Sequence, residues 1–483
     1  MNKKIFSLIG ISVASLFYAQ DVSAIRNTLD VYSGYTPPTG TSRYMSMAGS
    51  MGALGGDLST IESNPAGVGV AIINEINATL GVTSYTNTST LGSGSLDQTF
   101  KKTNLTQAGA LVVFEPFDSK WKFVNIGLNY KYRDLDSYIR TPENHSISDA
   151  VSYTNSTEQN VQDELLYDGH AYNRVGRSSV LSFAVGGNYD NQWYLGGGLN
   201  FYSADLEQGD FFRLMMKSNG DTAIYEKQDT PYQESSNGVS ISAGVIRKLD
   251  GGLRLGLSLQ SPTWWNINRS YNHYYLDNNA IVSDVYDSSR RLSSPTKVGL
   301  SAAYVPNKNF AINVDYTLGV SKPKYTSDLD NEVTTQLNEF FRKVYKNQSE
   351  VKVGAEYRYQ GFRLRGGYAY QSNPFSNASL GVISNNGSGI EDKSYNDLYA
   401  GSVKTLAAGL GYDFKSFYVD LAYQNVTSNY SNPFFGGRYA VESANGLGLP
   451  VPNIDGLDNG NASIVSKVKH NRSNLLLTLG LRF

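Results

Sequence analysis

The nine residues that close the chain put Leu475, Leu477, Leu479, Leu481 and Phe483 on one face of an extended segment, with Thr478, Gly480 and Arg482 on the other. Successive side chains of a strand point to opposite faces, so such a segment is either one stave of a membrane barrel or the half-buried edge of a soluble sandwich. The other end of the chain decides between them. Lys3 and Lys4 precede an apolar run from Ile5 to Tyr18, and the small residues Ala19, Ser23 and Ala24 follow. This is the layout of a secretory leader, residues 1–19, or as late as 24 if cleavage falls after Ala24. The chain has no cysteine, which excludes a lipoprotein anchor, disulfides and thiolate metal sites. No later run approaches the ~18 apolar residues of a membrane helix. An exported chain that crosses a membrane without helices is expected to be all-β, a transmembrane antiparallel barrel.

Composition fits a wall that meets lipid on one face and water on the other: 12% aromatic residues, 17% charged residues and 47 glycines. The formal net charge of -2 offers nucleic acid no basic surface.

Two-residue alternation recurs along the chain. Val351, Val353, Ala355, Tyr357 and Tyr359 alternate with Lys352, Gly354, Glu356 and Arg358. A turn at Gln360-Gly361 follows, and Phe362, Leu364, Gly366, Tyr368 and Tyr370 then alternate with Arg363, Arg365 and Gly367. The charged residues of this hairpin share one face, which should look into the lumen. Leu253, Leu255, Leu257 and Leu259 repeat the pattern. About fourteen such segments are expected, starting near Asn77, Asn104, Trp121, Ser178, Gln192, Asn237, Gly252, Pro295, Asn309, Glu350, Gly361, Lys404, Ser416 and Arg472. Their connections alternate between short turns and long polar stretches, such as 136–177, 207–236 and 427–471. Short turns belong on the periplasmic side of an outer-membrane barrel and long loops on the outside.

Ahead of the first strand the chain reads Ser42-Arg43-Tyr44-Met45-Ser46-Met47-Ala48-Gly49-Ser50-Met51-Gly52-Ala53-Leu54-Gly55-Gly56-Asp57, then Ser63-Asn64-Pro65-Ala66-Gly67. This order resembles the N-terminal hatch of the FadL/TodX family of outer-membrane transporters. Leu257 to Pro262, Val353 to Arg358 and Arg365 to Tyr370 are similar to strands of that family. The resemblance implies a hatch over residues 25–75 inside a barrel over residues 76–483, in the outer membrane of a Gram-negative cell. It implies passive uptake of hydrophobic small molecules such as long-chain fatty acids, with gating at Asn64, Pro65, Ala66 and Gly67. Aromatic hydrocarbons and haem-like molecules stay open as cargo. Some members of the family serve secretion or assembly, so a non-transporting accessory or scaffold subunit in an outer-membrane complex is the alternative. The aromatic last residue resembles the signal read by the barrel-assembly machinery, an expected partner beside outer-membrane lipid.

Catalytic chemistry is sparse. His145, His170, His273 and His470 lack metal-like spacing and read as solvated, and no nucleophile elbow or phosphate loop occurs. No enzyme activity, cofactor or metal is expected. Phe211, Phe212, Leu214 and Met215 in the third long connection, and Trp264-Trp265 at the start of the fourth, are apolar enough to capture ligand at the cell surface or to pack on one another. Val333, Leu337, Phe340 and Val344 fit a short amphipathic helix.

Overall fold

The computed structural model describes residues 22–33, 39–117, 119–154, 160–277, 280–328, 331–384, 389–443, 457–458 and 462–483. Residues 1–19, expected to be a leader, lie outside them. Barrel strands run in chain order as β1 (Glu75–Leu91), β2 (Gly94–Phe114), β3 (Trp121–Asp134), β4 (Asn160–Tyr189), β5 (Trp193–Met216), β6 (Tyr232–Lys248) and β7 (Leu253–Gln260). They continue as β8 (Lys297–Asn307), β9 (Phe310–Gly319), β10 (Ser349–Tyr359), β11 (Phe362–Gln371), β12 (Val403–Asp413), β13 (Phe417–Phe434) and β14 (Ile464–Arg482). Each pairs antiparallel with the next, and β1 pairs with β14 from Glu75↔Arg482 to Thr90↔Lys467, which closes a 14-stranded barrel. Among the described residues no helix is long and apolar enough to cross a membrane.

All the segments expected from alternation are strands. Leu255, Leu257 and Leu259 of β7 point outward and are exposed, as are Leu475, Leu477 and Leu479 of β14. These apolar faces form the belt that meets lipid in an outer membrane. At the short-turn end the outward rings of Phe362, Tyr412, Phe414 and Phe417 meet in sequence, edge-to-face, tilted and then stacked, with centroids 4.8, 4.5 and 4.3 Å apart, as one aromatic girdle. The turns there need little chain: Asp190 and Asn191 both take φ of 55°, the left-handed geometry that suits a two-residue hairpin loop.

The long connections differ from expectation. Much of 136–177, 207–236 and 427–471 is strand rather than loop, because β4, β5, β13 and β14 run on past the lipid belt and stay paired, with one break in register between Tyr167 and His170 of β4. Beyond the belt neither face meets lipid, so the apolar alternation that marks a strand in the sequence is lost while the hydrogen bonds continue. A further hairpin, Trp264–Asp277 with Ala280–Ser293, rises above β7 and β8. The helix Asn331–Val344 packs Leu337, Phe340 and Val344 into the same crown, Phe340 meeting Phe375 at 5.4 Å; the side chain of Val333 lies outside the described residues.

The N-terminal residues fill the lumen. The helical segment Val22–Ser33 sits high, with Ile25, Leu29 and Tyr32 buried among Trp265, Leu337 and Phe375. Residues 39–71 form the hatch below it, through a short helix Ser42–Ser46 capped by Thr41 and 3-10 turns at Leu58–Thr60 and Pro65–Val70. The hatch also reaches the seam of the barrel: the Ser42 N–H donates to Thr478 Oγ1 at 2.7 Å, and that hydroxyl lies 2.8 Å from Thr79 Oγ1 of β1.

Candidate functional site

Asn64 organises the hatch turn. Its side-chain oxygen accepts from the Ala66 N–H at 3.2 Å, and its amide donates to the Gly52 carbonyl at 2.7 Å. Pro65 stands at the first position of the turn, where its missing N–H leaves no bond unmade. Gly67 closes the motif by accepting from the Gly56 N–H at 2.9 Å. Asn64, Pro65, Ala66 and Gly67 are all buried.

The wall behind this turn has been stripped of side chains. A Cβ added to Gly196 of β5 would lie 2.4 Å from the Pro65 carbonyl carbon, and one on Gly244 of β6 would lie 1.9 Å from Asn64 Oδ1. A Cβ on Gly186 of β4 would lie 2.7 Å from the Gly69 nitrogen. Glycine is needed at these positions for close approach, so the hatch rests on bare backbone.

A central chamber of about 210 Å³ lies between the N-terminal segment and the hatch. Its lining mixes apolar surface with buried ion pairs: Glu62 of the hatch pairs with Lys131 of β3 and accepts from the Tyr202 hydroxyl at 2.9 Å, and Lys352 pairs with Glu350 at 2.7 Å. Burial pushes the Glu62 carboxyl up, and Lys131 more than reverses this, so it titrates below the ordinary glutamate range.

Below the hatch a second cavity, about 760 Å³, opens at the periplasmic end. The inward face expected for the β10–β11 hairpin is confirmed here. Glu356 is held by Arg43 of the hatch at 3.3 Å, by Arg358 at 2.5 Å and by Arg365 at 2.6 Å. Arg365 also meets Asp420 at 2.7 Å, and Asp413 is shared by Arg363 at 3.0 Å and Arg482 at 2.8 Å. Outward parity holds as well, since Val353 and Leu364 are exposed on the lipid side.

The segments expected to capture ligand are not brought together. Phe211 to Met216 form the upper end of β5 and not a loop, so their side chains divide between two faces. Phe212 and Leu214 are buried with Tyr225 and Tyr439, whereas Phe211 and Met215 are half-buried on the other side. Trp264 and Trp265 likewise begin a strand. Trp265 is 3% exposed and packs on Tyr32 and Tyr202, while Trp264 is 47% exposed on the outside.

His170 departs from the expectation of solvation. Because β4 starts earlier than its apolar pattern, His170 falls on a buried face, stacked on Phe434 at 4.1 Å and 2.9 Å from Asp210. Ligand atoms of Glu143, His145 and Asp168 lie within 4.8 Å of one another at the crown. His145 engages one Asp168 oxygen at 3.1 Å, and Arg213 engages the other at 2.5 Å, so both oxygens of Asp168 are taken.

The contacts that hold the N-terminal segment have no signal in the sequence. The Arg26 guanidinium lies 3.9 Å from the Tyr172 ring centroid and donates to Asn432, Asn27 donates to the Tyr232 hydroxyl at 3.0 Å, and Arg174 pairs with Asp30 at 3.2 Å. Each is a lone polar residue whose partner lies far away in the chain.

No protein-family model matches the chain, and no curated protein matches it. Solved structures do. A Pseudomonas aeruginosa FadL homologue superposes with a TM-score of 0.56 at 14% identity, over 92% of this chain and 99% of that one. The Pseudomonas putida toluene transporter TodX gives 0.51 at 14% identity, over 92% and 98%. The TodX deltaS2S3 mutant monoaromatic hydrocarbon channel gives 0.50 at 14% identity, over 92% and 99%. The fold expected from the hatch sequence is the fold these proteins share.

Proposed function

We propose that this chain, sharing the fold of FadL and TodX, is an outer-membrane transporter for passive uptake of hydrophobic small molecules such as long-chain fatty acids. The observation that carries this reading is the hatch. Residues 39–71 separate a chamber above from a vestibule below, and they rest on glycine backbone that a shift of the turn can leave without unfolding the wall. In the proposed route, Phe211, Met215 and Trp264 offer the accessible apolar surface at the crown, Phe212, Leu214 and Trp265 pack beneath it, and the turn Asn64 to Gly67 moves to admit cargo to the vestibule. Every barrel strand is paired with both neighbours, but β2 pairs with β3 only from Gln107 to Phe114, so cargo leaves either through the wall into lipid or onward to the periplasm. Residues 1–19 are the proposed leader. Ala24 is buried in the crown core, which supports cleavage after Ala19, and a mature mass starting at Gln20 is the check.

Uptake of a labelled fatty acid and of toluene by cells producing the parent tests the reading. The double variant Asn64→Ala, Pro65→Ala should change uptake severalfold while the barrel keeps its heat-modifiable migration. The pair Phe212→Ala, Trp264→Ala should lower it. Uptake by the parent no greater than by empty cells would end the importer reading.

The ion pairs Glu62–Lys131 and Glu350–Lys352 in the central chamber favour a second reading, a non-transporting scaffold in an outer-membrane complex, since an apolar tunnel is what hydrophobic cargo calls for. Native mass spectrometry separates the two: a copurified protein at fixed stoichiometry supports the scaffold, a copurified lipid the transporter.

The barrel-assembly machinery is the proposed partner of β14. Phe483 is 67% exposed, and its N–H donates to the Asn74 carbonyl at 3.2 Å, so deleting it removes little packing. A severalfold loss of assembled barrel on deletion would therefore report recognition. Unchanged yield would remove this partner.

A further inference from the structure

Leu54, Leu58 and Val70 of the hatch give the vestibule apolar lining, and Arg254, Arg358 and, on the β8–β9 turn, Lys308 line it as well. Its walls carry eight arginines and lysines against four carboxylates, Asp57, Glu75, Asp413 and Asp420, so cations are in excess. Arg358 shares the single carboxylate of Glu356 with Arg43 and Arg365. Arg254 donates to the Leu54 carbonyl at 2.9 Å, and among the described residues no carboxylate pairs with it or with Lys308. Half-buried cations held at fixed positions beside an apolar surface complement a molecule with one acid group and an apolar body.

We infer that the vestibule binds a monoanionic amphiphile, its acid group on Arg254 and Arg358 and its apolar body against Leu54, Leu58 and Val70. A cavity of about 760 Å³ is in the range of pockets that enclose most of a small ligand. A neutral hydrocarbon gains nothing from these cations and has to desolvate them, so the vestibule selects acids. As the last stop of an acid leaving the barrel, the site deepens the uptake reading and rests on it, yet binding is measurable without transport. The same chemistry has two sources: a free fatty acid arriving through the barrel, and an anionic phospholipid reaching in from the inner leaflet.

The test uses the protein in phosphatidylcholine nanodiscs, titrated with laurate and with dodecanol against empty nanodiscs. Laurate should bind the parent more tightly than dodecanol. The variant Arg254→Gln, Arg358→Gln should lose about tenfold in laurate affinity, the scale of one charge-assisted hydrogen bond, with dodecanol unmoved. Lys308→Gln, on an exposed turn where folding is not at stake, should weaken laurate in the same direction by less. Equal laurate binding by parent and double variant overturns the site, as does equal binding of laurate and dodecanol by the parent. With phosphatidylglycerol in the nanodiscs, unchanged laurate binding assigns the site to diffusing acids, and competitive loss assigns it to the lipid; both outcomes support a monoanionic amphiphile. A parent that binds laurate through these arginines yet imports no acid keeps the site and loses the transporter.

Discussion

Glu356→Ala is expected to lower the stability of the assembled barrel by about 3 kcal/mol, the low end for breaking a buried charge cluster. The carboxylate is 1% exposed and Arg365 beside it 4%, so Arg365 would be left with Asp420 for its charge. Arg43 and Arg358 reach vestibule water and can rehydrate, which holds the cost at the low end. Arg43 is also the hatch's ion-pair link to β10, so the same change should loosen the hatch. Urea titration of the detergent-extracted barrel, followed by tryptophan fluorescence, measures the first effect, and limited proteolysis near Arg43 the second. Glu356→Gln, which keeps the shape and loses the charge, should fall between parent and Ala. An Ala variant that unfolds at the parental urea concentration would show that the cluster is solvated and of no structural weight.

Gly196→Val should expel the hatch. Its Cβ would lie 2.4 Å from the Pro65 carbonyl carbon, a backbone atom with no rotamer to move, so either a wall strand or the hatch has to shift. β5 is fixed by ladders to β4 and β6, and the hatch is the softer of the two. Overpacking of this kind costs about 1–3 kcal/mol, enough to shift a docked-to-undocked ratio by about 5- to 150-fold. Planar-bilayer recordings should then show frequent large conductance steps where the parent is nearly closed, and cells should admit vancomycin. The control is one residue away. Gly197 has nothing within 4 Å of an added Cβ, so Gly197→Val should behave as the parent. Indistinguishable recordings from the two variants would mean that the hatch does not bear on this wall.

What the sequence made legible follows where lipid is. β7, β10, β11 and the end of β14 declare themselves because one face has to be apolar, and a strand's side chains alternate. The extensions of β4, β5, β13 and β14 above the belt have no such constraint, and only partners distant in the chain hold them straight. The hatch turn was legible because Asn and Pro act locally, through a cap and a fixed backbone angle. Its seat was not, since Gly196 and Gly244 are marked as contacts only once β5 and β6 are brought against Pro65. Trp264 and Trp265 misled for a simple reason: read as a loop they are one apolar patch, but neighbours in a strand part company. Parity did find the lumen face of Lys352, Glu356, Arg358, Arg363 and Arg365, although the share of Arg43 in that network depends on closure of the ring.

The junction of Ser42, Thr79 and Thr478 bears on how such a molecule is born. Thr79 and Thr478 belong to the first and last strands, and the atoms that bridge them also hold the hatch. A ring that shut around an empty lumen would join these strands without the hydrogen bonds from Ser42, while Thr79 would keep its bond to Gln107 Oε1 at 2.8 Å and lumen water would serve the rest. Zipping the two ends of the chain together and seating the stopper therefore share atoms, and the seated stopper adds two hydrogen bonds to the join. A barrel closed around its stopper is more firmly joined at its seam than an empty one.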